Sequence, residues 1–252
     1  FSKISYRRGM NELQTASGFR LHVLHERFSV LRQPVVCARS HDILHHEWLV
    51  RFDGQTGLEG VIRPAEISGA IADLDISMLK SAISALNIDT SRKPIAVNLS
   101  GASFADPKFE GALLMALSEL KTGPNRLIFE LTETWDIKDL QPGIRLLRIL
   151  RDRGHSLCLD DVGAGAASLR YLRAFPADWL KIDGDFIVGA AENAQERAVL
   201  LAVLSLRQSL GVKFIAEGIE SGPLRDFATD LGIDALQGFL MGVPEPETAI
   251  KP

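Results

Sequence analysis

A single α/β barrel is the fold that this sequence predicts, and three observations lead to it. Short runs rich in Val, Ile, Leu and Phe recur eight times, most of them separated by stretches with helical spacing of apolar residues, the alternation of a βα protein. The length of 252 residues fits one such barrel, for which roughly 250 is typical. Acidic residues gather at the ends of the predicted strands, where a barrel of this kind carries its active site.

The elements follow in order. Arg7 to Glu26 read as a moderately amphipathic helix, so residues 1–27 form an N-terminal helix or linker and 28–252 the barrel domain. Strands are expected at Phe28 to Cys37, His46 to Phe52, Pro94 to Ser100 and Arg126 to Glu133, then at Ser156 to Val162, Trp179 to Asp183, Lys213 to Gly218 and Ala235 to Phe239. Apolar stripes mark helices at Asp106 to Leu120, Gln141 to Arg153, Ala194 to Leu210 and Leu224 to Leu231, with Gly154 and Gly211 where C-caps belong. Only the turn-like Ala38 to Leu44 separates the first two strands, too short for a helical crossover. The expected fold is therefore a modified TIM (β/α)8 barrel whose first strand is antiparallel to its neighbours, preceded by a helix.

Composition narrows the function. The formal charge of −4 and the lack of a Lys/Arg stripe argue against a nucleic-acid polymer as partner. The longest apolar stretch, Ala198 to Leu204, is far below the ~18 residues of a membrane span, and no signal peptide is recognisable, so a cytoplasmic segment without membrane contact is expected. The chain begins at Phe1 rather than Met, which suggests a piece of a longer protein. Cys37 and Cys158 sit in apolar runs without metal-ligand spacing and read as small buried hydrophobes.

Charged side chains avoid strand interiors unless something binds them. Here Glu47, Asn98, Glu130 and Glu133, Asp160 and Asp161, Lys181 and Asp183, Glu217 and Gln237 fall in or at the ends of successive strands. The barrel brings those ends to one face, where crowded carboxylates repel one another unless cations neutralise them. Carboxylate and amide oxygens suit Mg²⁺ or Mn²⁺, whereas Zn²⁺ sites recruit His or Cys. His41, His45 and His46 flank a strand start and read as solvated. Two ions sharing a carboxylate edge, for which the tandem Asp160 and Asp161 is suited, form an arrangement for in-line attack on a phosphodiester, with Lys181 placed to hold or polarise the water.

These residues stand in a series of motifs: Glu47, Trp48, Leu49, Val50, Arg51 as E-x-L-x-R, and then QPVV, VNLS, ELTE, LDD-x-G-x-G, LKID, AEGIE and LQGF between Phe28 and Pro246. In them the chain resembles the EAL family of cyclic di-GMP phosphodiesterases and receptors. The resemblance implies that Glu47, Asn98, Glu130 and Asp160 ligate one metal ion and Asp160, Asp161 and Glu217 a second, two Mg²⁺ or Mn²⁺ ions in all. It implies that Lys181 and Gln237 contact the catalytic water, with Glu217 beside them, that Arg51 binds a phosphate, and that Gln33 and Leu49 line the substrate site. Glu133 corresponds to the residue that anchors the loop after the fifth strand. The implied reaction opens cyclic di-GMP to linear pGpG, and a homodimer and a sensory or regulatory domain upstream are the implied context.

The chain departs from the family pattern in three places. Trp48 stands where the namesake motif has Ala, the loop usually written DDFGTGYSSL reads Asp160 to Leu169 as DDVGAGAASL, and the segment Pro64 to Gly69 is shortened. Losing two aromatic rings and three hydroxyls removes packing and hydrogen bonds from that loop. A receptor that binds cyclic di-GMP without turning it over is therefore the second expectation beside the enzyme. An unrelated Mg²⁺-dependent barrel enzyme acting on a carbon acid is a third, and it leaves Arg51 and the motif order unexplained.

Overall fold

The structure is a computed structural model that describes residues 13, 15–25, 27–52, 58–131, 141–162 and 175–247. Strands β1 (Phe28–Cys37), β2 (Ile43–Phe52), β3 (Ile95–Leu99), β4 (Leu127–Leu131), β5 (Ser156–Val162), β6 (Trp179–Ile182), β7 (Lys213–Ala216) and β8 (Ala235–Leu236) pair in sequence from β2 to β8. β1 closes the barrel by lying antiparallel between β8 and β2, with Gln33 opposite Glu47 and Val35 opposite His45. The chain returns from β1 directly into β2 through a turn at His41, φ 59°, so the expected antiparallel pairing is present. A short β9 (Glu245–Pro246), which the sequence pattern did not reveal, pairs with Leu31 and Arg32 of β1.

Several expected strands end earlier than their apolar runs suggested. β8 spans two residues rather than five because Gly238, φ 154°, carries the chain tightly over the loop after β7. A Cβ at Gly238 would lie 2.3 Å from both Ile219 N and Ile219 O, so only glycine permits this crossing.

Helix α1 (Ala16–Leu24) starts at Thr15, whose hydroxyl accepts from Gly18 N at 3.1 Å, and buries Phe19 and Val23. The Phe19 ring lies 5.6 Å from that of Phe52, which joins this helix to the main core. Helices α2 (Glu59–Ile67) and α3 (Ile71–Ile88) fill the β2–β3 connection. Periodicity did not single out α3 because apolar residues recur around much of its circumference; the buried set runs through Ile71, Leu74, Met78, Leu79, Ile83 and Leu86. Then come α4 (Phe109–Leu117), α5 (Gln141–Asp152), α6 (Gly184–Glu192), α7 (Ala194–Leu204), α8 (Leu206–Leu210) and α9 (Gly222–Asp230). The single helix expected over Ala194 to Leu210 breaks at Ser205 and stops at the left-handed Gly211, φ 68°. Among the described residues no helix is long and apolar enough to cross a membrane.

The strands separate two cores. A large one lies between the helices and the outer strand faces, and a small one fills the barrel with Val35, Ala96, Ile128, Cys158, Ile215 and Ala235. Cys158 is buried there as expected, whereas Cys37, at the end of β1, is only partly covered.

Asp75, on α3, ties the outer core to the end of β3. Its Oδ2 accepts from Ser100 N at 2.9 Å and from Ser103 Oγ at 2.6 Å. Burial pushes its pKa up to about 8, against the lowering effect of those two bonds. An acid raised in this way stays protonated in the folded chain while it ionises in the unfolded one. Its stabilising contribution is complete below about pH 4 and is lost as pH rises towards 8, by about 1.4 kcal/mol per pH unit at most. Asp75→Asn keeps an acceptor and cannot ionise. Urea unfolding should therefore find the variant gaining on the parent by a few kcal/mol between pH 5 and 8; parallel stability curves would contradict this.

Candidate metal centre

Side chains alternate across a strand, so residues two apart share a face. In every strand but β2 one inward residue belongs to the small apolar core or packs against it, and the residue two positions nearer the barrel mouth is polar. Ile128 is followed by Glu130, Cys158 by Asp160, Trp179 by Lys181, Ile215 by Glu217 and Ala235 by Gln237. β3 adds Ala96 then Asn98, β2 adds His45 then Glu47, and antiparallel β1 supplies Val35 and Gln33 in reverse.

Lys181, 1% exposed, holds the centre of the polar set. Its Nζ lies 3.1 Å from Glu47 Oε2, 3.2 Å from Glu130 Oε2, 3.2 Å from Asp160 Oδ1 and 2.8 Å from Glu217 Oε1. Asn98 Nδ2 donates to Glu47 Oε1 at 2.8 Å and Gln237 Nε2 to Glu47 Oε2 at 2.7 Å. Gln33 accepts from Gln237 Nε2 at 3.3 Å and donates to Gly242 O at 3.1 Å. Glu130 Oε1 and Gln237 Oε1 are buried with no hydrogen-bond partner, two acceptors left for something electropositive.

Asp160 and Asp161 would point to opposite faces of a regular strand. They do not, because the β5–β6 register slips between Leu159 and Val162 and Asp161 adopts φ 56°. The kink, braced by Asp161 N donating to Asp160 Oδ1 at 3.1 Å, brings carboxylate oxygens of Asp160, Asp161 and Glu217 within 4.8 Å of one another. Such a conformation costs a non-glycine residue of order 1–3 kcal/mol.

Five carboxylates thus face one ammonium, a surplus of four negative charges when all are ionised. Burial raises Glu130 well above the usual carboxylate range, Lys181 countering it only in part, and likewise pushes Glu217 up to about 8 and raises Asp160. Burial would raise Glu47 too, but Lys181 and the donors Gln237 and Asn98 hold it below its ordinary value. Lys181 is itself raised, the four carboxylates outweighing burial. Two divalent cations would balance the surplus, and an all-oxygen donor set fits Mg²⁺ or Mn²⁺.

Gln33, Glu47, Leu49, Asp160, Lys181, Glu217 and Gln237 line one cavity of about 330 Å³ at the barrel mouth. Asn98 joins through its bond to Glu47, and Glu130 lies beneath Lys181. Arg51 does not line the cavity; its Nη1 donates to Val50 O at 2.9 Å. Glu133 and the residues after Val162, through Leu169, lie outside the described residues. Asp183, grouped with the site acids by sequence, instead caps α6 by accepting from Phe186 N at 3.1 Å. The histidines were expected in solvent, and His45 is not: it is 3% exposed, and burial lowers its pKa to about 4, so the ring is uncharged. Sequence reasoning also passed over Glu220 and Phe239 in the cavity wall, although both lie in the quoted AEGIE and LQGF runs just past β7 and β8.

Comparison with known proteins gives a consistent result. The family profile described as EAL domain matches residues 10–244. The bifunctional diguanylate cyclase/cyclic di-GMP phosphodiesterase MucR of Pseudomonas aeruginosa is 33% identical over 247 residues, covering 94% of this chain and 35% of MucR. Cyclic di-GMP phosphodiesterase PdeF of Escherichia coli is 28% identical over 246 residues, covering 94% and 32%. The chain thus spans about a third of the length of these relatives. The solved complex of the MucR phosphodiesterase with c-di-GMP superposes with a TM-score of 0.79 at 33% identity, over 87% of this chain and 97% of that one. The Xanthomonas citri FimX EAL domain shares the fold, at TM-score 0.80 and 18% identity over 100% and 98% of the two chains.

Proposed function

From the premise that this chain belongs to the EAL domain family, we propose that it is a metal-dependent phosphodiesterase domain that hydrolyses cyclic di-GMP to linear pGpG. The observation that carries the reading is the convergence of five carboxylates, three amides and one buried ammonium from the eight strands and their ends at one barrel mouth. We assign Glu47, Asn98, Glu130 and Asp160 to one ion and Asp160, Asp161 and Glu217 to the other. Bound Mg²⁺ or Mn²⁺ would supply a water acidic enough to ionise near neutral pH and a positive field for the phosphate oxygens.

The chain's own groups do the rest. Lys181, fixed by four carboxylates, is a permanent donor that can orient the attacking water, and Gln237, fixed through Glu47 and Gln33, offers its buried carbonyl to one of that water's protons. Arg51 would leave Val50 O for a substrate phosphate, a stronger charge-assisted partner. Gln33 and Leu49 belong to the substrate wall, and Glu133 is read as the anchor of the loop after β5.

We place this activity in a barrel domain of residues 28–252 with the preceding helix docked on it. The greater length of the relatives supports an upstream sensory or regulatory part, and the family resemblance supports a homodimer. A receptor function is the second reading, favoured by the smaller side chains at Val162, Ala164, Ala166 and Ala167. Incubation with cyclic di-GMP and Mn²⁺ should release pGpG from the parent protein and none from Glu47→Ala. Micromolar binding without product from either protein would establish the receptor instead.

A further inference from the structure

We propose that His45 is a positioning residue for Glu130, its Nε2–H directed at Glu130 Oε1 from inside the barrel. Two orphaned atoms carry the inference. His45 Nε2 and Glu130 Oε1 lie 4.0 Å apart, both are buried, and neither has a hydrogen-bond partner. A donor and an acceptor shut away from water and facing each other at this distance would each gain the missing partner by closing on one another.

The surroundings leave Oε1 few alternatives. Lys181 is bonded to the other oxygen, Oε2. His45 belongs to the inward set below the polar one, a set otherwise built of Val, Ala, Ile, Cys and Trp side chains. Its ring packs edge-on against Trp179, centroids 6.5 Å apart, which fixes its plane. Glu130 and His45 come from strands that are not neighbours, so the contact spans the barrel interior.

The consequence for the site is orientational. A carboxylate held at one oxygen from below presents the other upward, toward Lys181 and the cations assigned above. A hydrogen-bond partner behind a metal-ligating carboxylate typically changes metal affinity 10–100-fold. The inference rests on the metal reading of the site, and its test separates the two.

His45→Leu removes the donor with similar bulk, and His45→Gln restores an N–H at similar reach. Mn²⁺ binding by titration calorimetry, on proteins of matched melting temperature without metal, should weaken about 10–100-fold in His45→Leu and recover in His45→Gln. In the unsubstituted protein, ¹⁵N NMR of the imidazole should show the Nε2-protonated tautomer, with Mg²⁺ and without. Equal affinity in all three proteins, equal loss in both variants, or an Nδ1-protonated ring overturns the proposal. If the parent binds no Mn²⁺, the metal reading fails by itself, and the tautomer decides whether His45 supports Glu130.

Discussion

Replacing Lys181 by methionine is expected to lower pGpG release by about 10²–10³-fold, the range for losing one preorganised hydrogen-bond donor at the reacting centre. The same change should be felt in the absence of substrate. Lys181 is the one cation in contact with Glu47, Glu130, Asp160 and Glu217 among the described residues. Removing one partner of a buried ionic cluster strands the others, at about 3–5 kcal/mol. Metal-free Lys181→Met should therefore melt well below the parent, and Mn²⁺ should restore much of the difference, since cations bound only by the folded chain stabilise it. Turnover within about threefold of the parent, measured under saturating Mn²⁺, would remove Lys181 from the water-handling role.

Mn²⁺ affinity should rise steeply with pH. Glu130, Glu217 and Asp160 all have raised pKa values, Glu217 near 8, so at neutral pH protons occupy part of the site that the ions need. Each proton displaced makes binding about tenfold tighter per pH unit until the group's pKa is passed. At least a tenfold gain is expected between pH 6.5 and 8, with proton release visible as a calorimetric heat that depends on the buffer. The metal-free protein should show the opposite slope. Acids with raised pKa stabilise the fold fully below about pH 4.5 and lose that contribution as pH climbs through 8. Affinity that stays flat over this range would mean that the carboxylates are already ionised without metal.

Much of this was readable in the sequence because its causes are local. Alternating apolar runs and the short link after Cys37 gave eight strands and the antiparallel first one, and every expected strand has its counterpart. Glu47, Asn98, Glu130, Asp160, Lys181, Glu217 and Gln237 stood out because a charge or amide in a strand needs a partner, and strand order alone brings such residues to one face. Where the signal was weak, the reading failed. The many-sided apolar pattern of α3 concealed a helix, two-residue pairings concealed β9, and Asp183, counted among the acids at the strand ends, is a helix cap.

What the sequence by itself determined is the inventory: which oxygen-bearing side chains the barrel presents, from which strands, with what surplus of negative charge. What only the tertiary structure decided is how they meet. The kink that turns Asp161 to the side of Asp160, the ammonium of Lys181 among four carboxylates, and the placing of His45 beneath Glu130 all depend on register and stagger around the closed barrel. Those are set by the packing of every strand against its neighbours, and no short stretch of sequence carries that information.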